Sequence, residues 1–298
     1  MGHHTGQPSR RAIIASTFLR SFSVLLITVL AMCNAAIAGA DKASSDPARS
    51  NTAKNDEERT MSRSTLTHVD YQAAIVAWER VLNQHVDTEG RVDFAAIRDK
   101  PADLDRIVSV VADYGPTTNP QDFSDRKTVI AYHINTYNAL AMRGVIDRGI
   151  PDNFNGLLKK ASFFKFRSVR ISGTKTNLYD YENKVIRPLG EPRVHFALNC
   201  MVKDCPRLPS TPFTPEDLDA DLDRASWEFF SKERHLRIDH ANKRIEVSAI
   251  LDFYTKDFVE SGRTRDLPLY INQYQHSPLP EGYKVAYLDY DWRINRQS

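Results

Sequence analysis

The 298-residue chain has little net charge of either sign, with 40 Lys and Arg against 38 Asp and Glu. The small basic excess sits in residues 1–40, which hold Arg10, Arg11 and Arg20 and no acid; residues 41–298 carry 37 bases against 38 acids. A near-neutral body lacks the electrostatic footprint of a nucleic-acid binder, so no nucleic-acid partner is expected. No C-x-x-C, H-E-x-x-H or H-x-x-x-H occurs, and the seven histidines beyond residue 40 are scattered, so no metal site is expected. A Gly-rich phosphate loop and a G-x-S-x-G elbow are also missing, which leaves nucleotide binding and serine-hydrolase chemistry without a signal. No cofactor is expected. Hydrophobic residues at 41% and charged residues at 26% exclude a disordered chain, a collagen-like repeat and a polytopic membrane protein.

One uncharged apolar run is present, at residues 22–32, behind the three arginines. It is followed by small residues, and Ala36-Ile37-Ala38 fits the A-x-A cleavage pattern of a secretory signal peptide over residues 1–40. An uncleaved membrane anchor and a lipidated Cys33 are the alternatives, and only an uncleaved segment would give a membrane contact. All three place the body outside the cytoplasm, periplasmic or secreted. Residues 41–64 hold one Met and no other large apolar residue, and read as a disordered linker. Residues 65–298 are then the globular domain, long enough for one sizeable core.

Apolar residues at helical spacing predict helices over 71–86, 103–114 and 122–148, the last with Ile130, Ile134, Tyr137, Ala141 and Val145 on one stripe. Asp70 is a candidate cap for the first. Beyond Phe163 the period changes. A hairpin is expected around Ser172-Gly173, a short helix over 178–187, and an alternating strand over 193–199. A helix over 214–230, a second hairpin from 236–239 and 244–247, a helix over 248–260 and a strand over 285–288 complete the reading. Early helices and short, hairpin-linked, mainly antiparallel strands make this a single α+β domain.

Two cysteines remain in the body, Cys200 and Cys205. In an exported domain such a pair most often forms a disulfide. The alternative is a thiolate nucleophile, which needs a base and a lowered pKa. On a strand, Val194, Phe196, Leu198 and Cys200 would share an apolar face, and His195 would lie with Asn199 on a more polar one. The turn after Asn199 would then return Cys205 to His195, as nucleophile and base. Asn135 and Asn138 lie beside the apolar stripe of the long helix, where such a poor helix former implies side-chain hydrogen bonds. Asn135 is expected to tie a neighbouring loop, and Asn138 to steady an imidazole or an oxyanion. Glu182 is a candidate to orient His195, or else pairs with a nearby base such as Arg187.

Four blocks carry a resemblance. Tyr132-His133-Ile134-Asn135-Thr136-Tyr137-Asn138-Ala139-Leu140 is similar to "FWINxYNAL", and Asn177-Leu178-Tyr179-Asp180-Tyr181-Glu182-Asn183 to an "L-x-x-I-E" helix. Arg193-Val194-His195-Phe196-Ala197-Leu198-Asn199-Cys200 with Cys205-Pro206-Arg207-Leu208 resembles "R-x-H-F-A-L…CPxL", and Tyr290-Asp291-Trp292-Arg293-Ile294-Asn295 resembles "YDWxLN". These blocks, in this order, resemble the domain-of-unknown-function 547 family. The resemblance implies that Asn138, Glu182, His195 and Cys205 are motif positions, and the Glu, His and Cys set is compatible with papain- and transglutaminase-like cysteine hydrolases. His133 stands where that family usually has Trp, and with Asn135 and Asn199 it is a candidate for lining the binding site.

Two functions follow as expectations. One is a cysteine-dependent hydrolase or transferase acting on an amide or ester of a peptide, cell-wall or small-molecule substrate. In it Cys205 attacks, His195 moves the proton, Glu182 orients the imidazole and Asn138 or a backbone N–H holds the oxyanion. The other is a non-catalytic binding or scaffolding module of the cell envelope, with a Cys200–Cys205 disulfide locking a turn.

Overall fold

A computed structural model describes residues 66–297, so the expected export segment and linker lie outside the described residues. The first helix, α1 (His68–His85), starts at a capping box: Thr67 Oγ1 accepts the Asp70 N–H and the Asp70 carboxylate accepts the Thr67 N–H. Thr67 is therefore the cap, and Asp70 lies inside the first turn. After the short α2 (Phe94–Asp99), the buried face of α3 (Ala102–Asp113) packs Leu104, Ile107 and Val111 into the core that holds Trp78 and Leu82 of α1.

The long helix α4 (Arg126–Asp147) begins where the Asp125 side chain accepts the Thr128 N–H at 3.0 Å. Its expected stripe is buried, but so is nearly every residue from Ile130 to Val145, as in a helix that runs through the middle of a core. The turn after α3 approaches it closely. Tyr132 Oη donates to the Tyr114 carbonyl at 2.8 Å, and a Cβ added to Gly115 would collide with that hydroxyl and lie 2.9 Å from Ser172 Cβ.

The next helix, α5 (Leu157–Phe164), takes in Phe163 and Phe164, so the expected hairpin is confined to β1 (Val169–Ile171) and β2 (Thr174–Thr176). Ser172 and Gly173 make its turn with φ of 46° and 77°, the two left-handed residues that a tight hairpin between twisted strands requires. The second expected hairpin is β3 (Leu236–Asp239) with β4 (Arg244–Val247), and β5 (Lys284–Tyr287) joins β4 in parallel. The helix expected over 178–187 is α6 (Leu178–Tyr181), continued as a π turn over Glu182–Ile186. The helix expected over 214–230 is α7 (Leu218–Ser231). The one expected over 248–260 breaks at Tyr254 into α8 (Ile250–Phe253) and α9 (Thr255–Phe258), and α10 (Leu267–Ile271) follows.

One reading is overturned. Residues 193–199 are not a strand: Pro192–Phe196 is a 3₁₀ helix, with Pro192 at its first position and the Glu191 carboxylate accepting the Arg193 N–H. Proline fixes φ near −65° and starts such a turn readily. The alternation that mimicked a strand arises because residues 194–199 are all buried, whichever way they point.

Side chains gather into two cores within one α+β domain. The first surrounds α1 to α4; the second joins Phe229 and Phe230 of α7 to β3, β4 and α8 to α10. The 3₁₀ segment lies on the seam, with Val194 and Ala197 in the first core and Phe196 in the second, and Tyr290 packs against both. Gly115→Ala is expected to destabilise the fold by about 1–3 kcal/mol through overpacking against Tyr132. Urea unfolding of the variant against the parent measures it.

Candidate active site

Cys200 and Cys205 are joined as a disulfide with their Cα atoms 6.2 Å apart. Their burial is the reverse of that expected from strand parity: Cys205 is buried, 3% exposed, and Cys200 is half-buried. Two donors converge on Cys205 Sγ, the Cys200 N–H at 3.1 Å and the Tyr290 hydroxyl at 3.5 Å. Met201, directly after Cys200, is fully buried with φ of 67°, a left-handed conformation that a side chain of this size rarely adopts.

The closing segment clamps this loop. Lys203 N–H donates to the Arg293 carbonyl, and Asn295 N–H to the Met201 carbonyl. Asp204 accepts the Asp291 N–H at 2.6 Å, and burial pushes its carboxyl above the ordinary range. The Tyr-Asp-Trp block thus holds both Tyr290 and the loop on which the sulfurs sit.

His195 makes no hydrogen bond to Cys205. Its Nε2 lies 2.8 Å from Asp257 Oδ2, and its ring stacks on Tyr254 at 4.1 Å with Phe258 beside it. Asp257 also accepts two hydrogen bonds from Arg187, at 2.6 and 2.8 Å. Burial alone would raise the Asp257 pKa, but the bonds from Arg187 and His195 outweigh it and hold the carboxyl far below its usual range. The partner of His195 is therefore Asp257, not Glu182. Sequence spacing carried no signal for this pair, because Asp257 lies 62 residues away on α9.

Glu182 sits between the two groups. It is buried at the start of the π turn, a kind of irregularity frequent at functional sites. The Tyr137 hydroxyl donates to it at 3.1 Å. Burial drives the phenols of Tyr137, Tyr254 and Tyr290 upward, and the Glu182 charge raises each further. Tyr137 is a neutral donor to the carboxylate, while Tyr254 stacks on His195 and Tyr290 turns its hydroxyl to Cys205.

The asparagines are structural anchors. Asn135 exchanges both of its amide hydrogen bonds with the Phe213 main chain, as donor at 2.8 Å and acceptor at 3.1 Å. Asn138 donates to the Ala197 carbonyl at 3.0 Å and accepts the Asn199 N–H at 2.7 Å, so its amide is committed to the segment between His195 and Cys200. Asn199 in turn donates to the Pro206 carbonyl at 2.6 Å and accepts the Met201 N–H, closing the cysteine loop on itself. His133 is buried on α4 with Nδ1 2.6 Å from the Tyr181 hydroxyl, next to the π turn and not on Cys205. No group of three or more His, Cys, Asp or Glu placed to hold a metal ion occurs among the described residues.

Asn138→Ala strips partners from two buried main-chain groups at about 1–3 kcal/mol each, so a loss of about 2–6 kcal/mol is expected on chemical denaturation. Asn138→Asp, which cannot donate to Ala197, does not restore it. His133 gives a pH signature. Burial lowers its pKa to about 4, so between the ordinary histidine value near 6.5 and pH 4 the unfolded chain binds more protons than the folded one. Stability therefore falls as pH drops through that window, and His235, lowered by burial to about 3, adds to the same loss. His133→Phe should remove about 3 kcal/mol of the difference in unfolding free energy between pH 7 and pH 4. Urea titrations at the two pH values check it.

Residues 120–230 match a family model described as "Protein of unknown function, DUF547". No curated protein and no solved structure matches the chain. The matched stretch runs from the turn before α4 to the end of α7 and contains Asn138, Glu182, His195 and both cysteines. The resemblance to the domain-of-unknown-function 547 family is thus supported over residues 120–230.

Proposed function

We propose that the chain is an exported thiol hydrolase or transferase acting on an amide or ester of a peptide, cell-wall or small-molecule substrate. Its nucleophile, Cys205, is latent while bridged to Cys200. The observation that carries this reading is the convergence of the Cys200 N–H and the Tyr290 hydroxyl on Cys205 Sγ. Once the bridge is reduced, two donors on a buried sulfur favour its thiolate. His195 has the second half of such a mechanism, an imidazole oriented by a carboxylate, with Asp257 in the role expected of Glu182. In this reading an external thiol reductant converts the bridge to two thiols, and the Cys205 side chain then turns to the imidazole, which takes its proton. The thiolate then attacks the carbonyl carbon, the imidazolium gives its proton to the leaving amine or alcohol, and water or a second acceptor resolves the thioester. Glu182 acts through Tyr254, whose ring supports the imidazole, and Tyr290 is the donor beside the developing charge. With the Asn138 amide committed to the main chain, its part is positioning. A location outside the cytoplasm rests on the arginines and apolar run of residues 1–40, and a bridged cysteine pair agrees with an oxidising compartment.

The bridge also favours a second reading, a cell-envelope binding or scaffolding module in which Cys200–Cys205 simply locks a turn. Hydrolysis of p-nitrophenyl acetate and of peptide anilides by the full chain, with and without dithiothreitol, separates the two. The hydrolase reading expects activity only after reduction, a fall of at least about 100-fold in Cys205→Ala, and about tenfold or more in Asp257→Asn. A reduced, folded protein that turns over none of these substrates, or activity indifferent to Cys205→Ala, overturns it in favour of the binding module.

A further inference from the structure

Independently of the thiol chemistry, α5 and the segment after it form a basic, apolar-tipped lobe. Residues 153–179 contain six Lys and Arg and no acid, the longest one-sided charge run in the domain. Leu158 in the first turn of α5 is 81% exposed, Phe166 two residues past its end 67%, and Leu157 40%. Arg167 and Arg170 pair with Asp147 and Asp113 at the base of the lobe. Lys159 by contrast meets only the neutral Asn153 side chain, at 3.2 Å, and Lys160 lies over the Trp292 ring at 3.7 Å, where burial lowers its pKa to about 8. Leucine and phenylalanine at the tip, with lysines around them, are the composition of a surface that rests in a lipid headgroup layer.

We propose that this lobe docks on an anionic phospholipid bilayer, with Leu158 and Phe166 entering the interface and Lys159 at the level of the headgroup phosphates. The occupant is a membrane and not an acidic protein because the exposed side chains with the lysines are long and apolar, in a stretch of 27 residues that holds no acid. Each cation near an anionic membrane surface strengthens association about fivefold, and the attraction is screened by salt.

The test uses the full chain carrying Phe166→Trp, which reports this face whether or not residues 22–32 enter the bilayer. The fluorescence gained from the new tryptophan should be quenched by brominated acyl chains in phosphatidylglycerol–phosphatidylcholine vesicles. That quenching should be lost at about 0.5 M salt, be about tenfold weaker or more with Lys159→Glu, and disappear with Leu158→Glu. Equal quenching in pure phosphatidylcholine vesicles, or none in either, overturns the proposal. So does a lipid-free, concentration-dependent dimer abolished by Leu158→Glu, which would give the face to a second copy of the chain.

Discussion

The Asn138 side chain is the interaction on which the geometry of the site depends. It stands on α4, the helix buried on almost all sides, and it holds the Ala197 carbonyl and the Asn199 N–H at once. Those two groups lie between His195 and Cys200, in a stretch without regular secondary structure to satisfy its main chain. Buried peptide groups need partners, and a single amide from a rigid helix meets that need while fixing where the chain turns. Asn199 repeats the device one step on, binding both Met201 and Pro206. The position of each sulfur follows from this relay, and the closing segment seals it from the other side.

Several polar groups are buried close to the seam: Tyr137 donates to Glu182, and Tyr254 stacks on the imidazole that Asp257 holds, itself bound by Arg187. Burying carboxylates at a seam between two cores costs stability unless every charge is met by donors. Here they are met, by phenols on one side and a guanidinium on the other. Such an expensive arrangement is found where chemistry needs groups held in set protonation states.

Much of this was legible in the sequence, and the failures have physical causes. The hairpin at 236–247 and the long helix were read correctly because one carries a clean alternation and the other a sustained helical stripe. Cys205, His195, Glu182 and Asn138 were all singled out, and all four lie on or beside the same network. Their pairings were not legible. The parity reading of 193–199 assumed one wet face, whereas the segment is buried throughout and begins with a proline-started 3₁₀ turn. That error exchanged the burial of the two cysteines and gave no sign that the imidazole binds Asp257. Asp257, Arg187, Tyr254 and Tyr290 act through contacts between distant parts of the chain, and no local pattern announces such contacts.

The central claim is that the cysteine pair is closed in the resting protein and that Cys205 becomes a stabilised thiolate when it opens. Intact mass after iodoacetamide treatment of the native chain at mildly acidic pH, before and after a reductant, tests it directly. Without reductant, Cys200 and Cys205 should both remain unlabelled. After reduction, Cys205 should label at that pH, and more slowly in Tyr290→Phe, which removes one of its two donors. Labelling of either cysteine in the unreduced protein, or Cys205 labelling that is unchanged by the loss of the Tyr290 hydroxyl, would contradict the account.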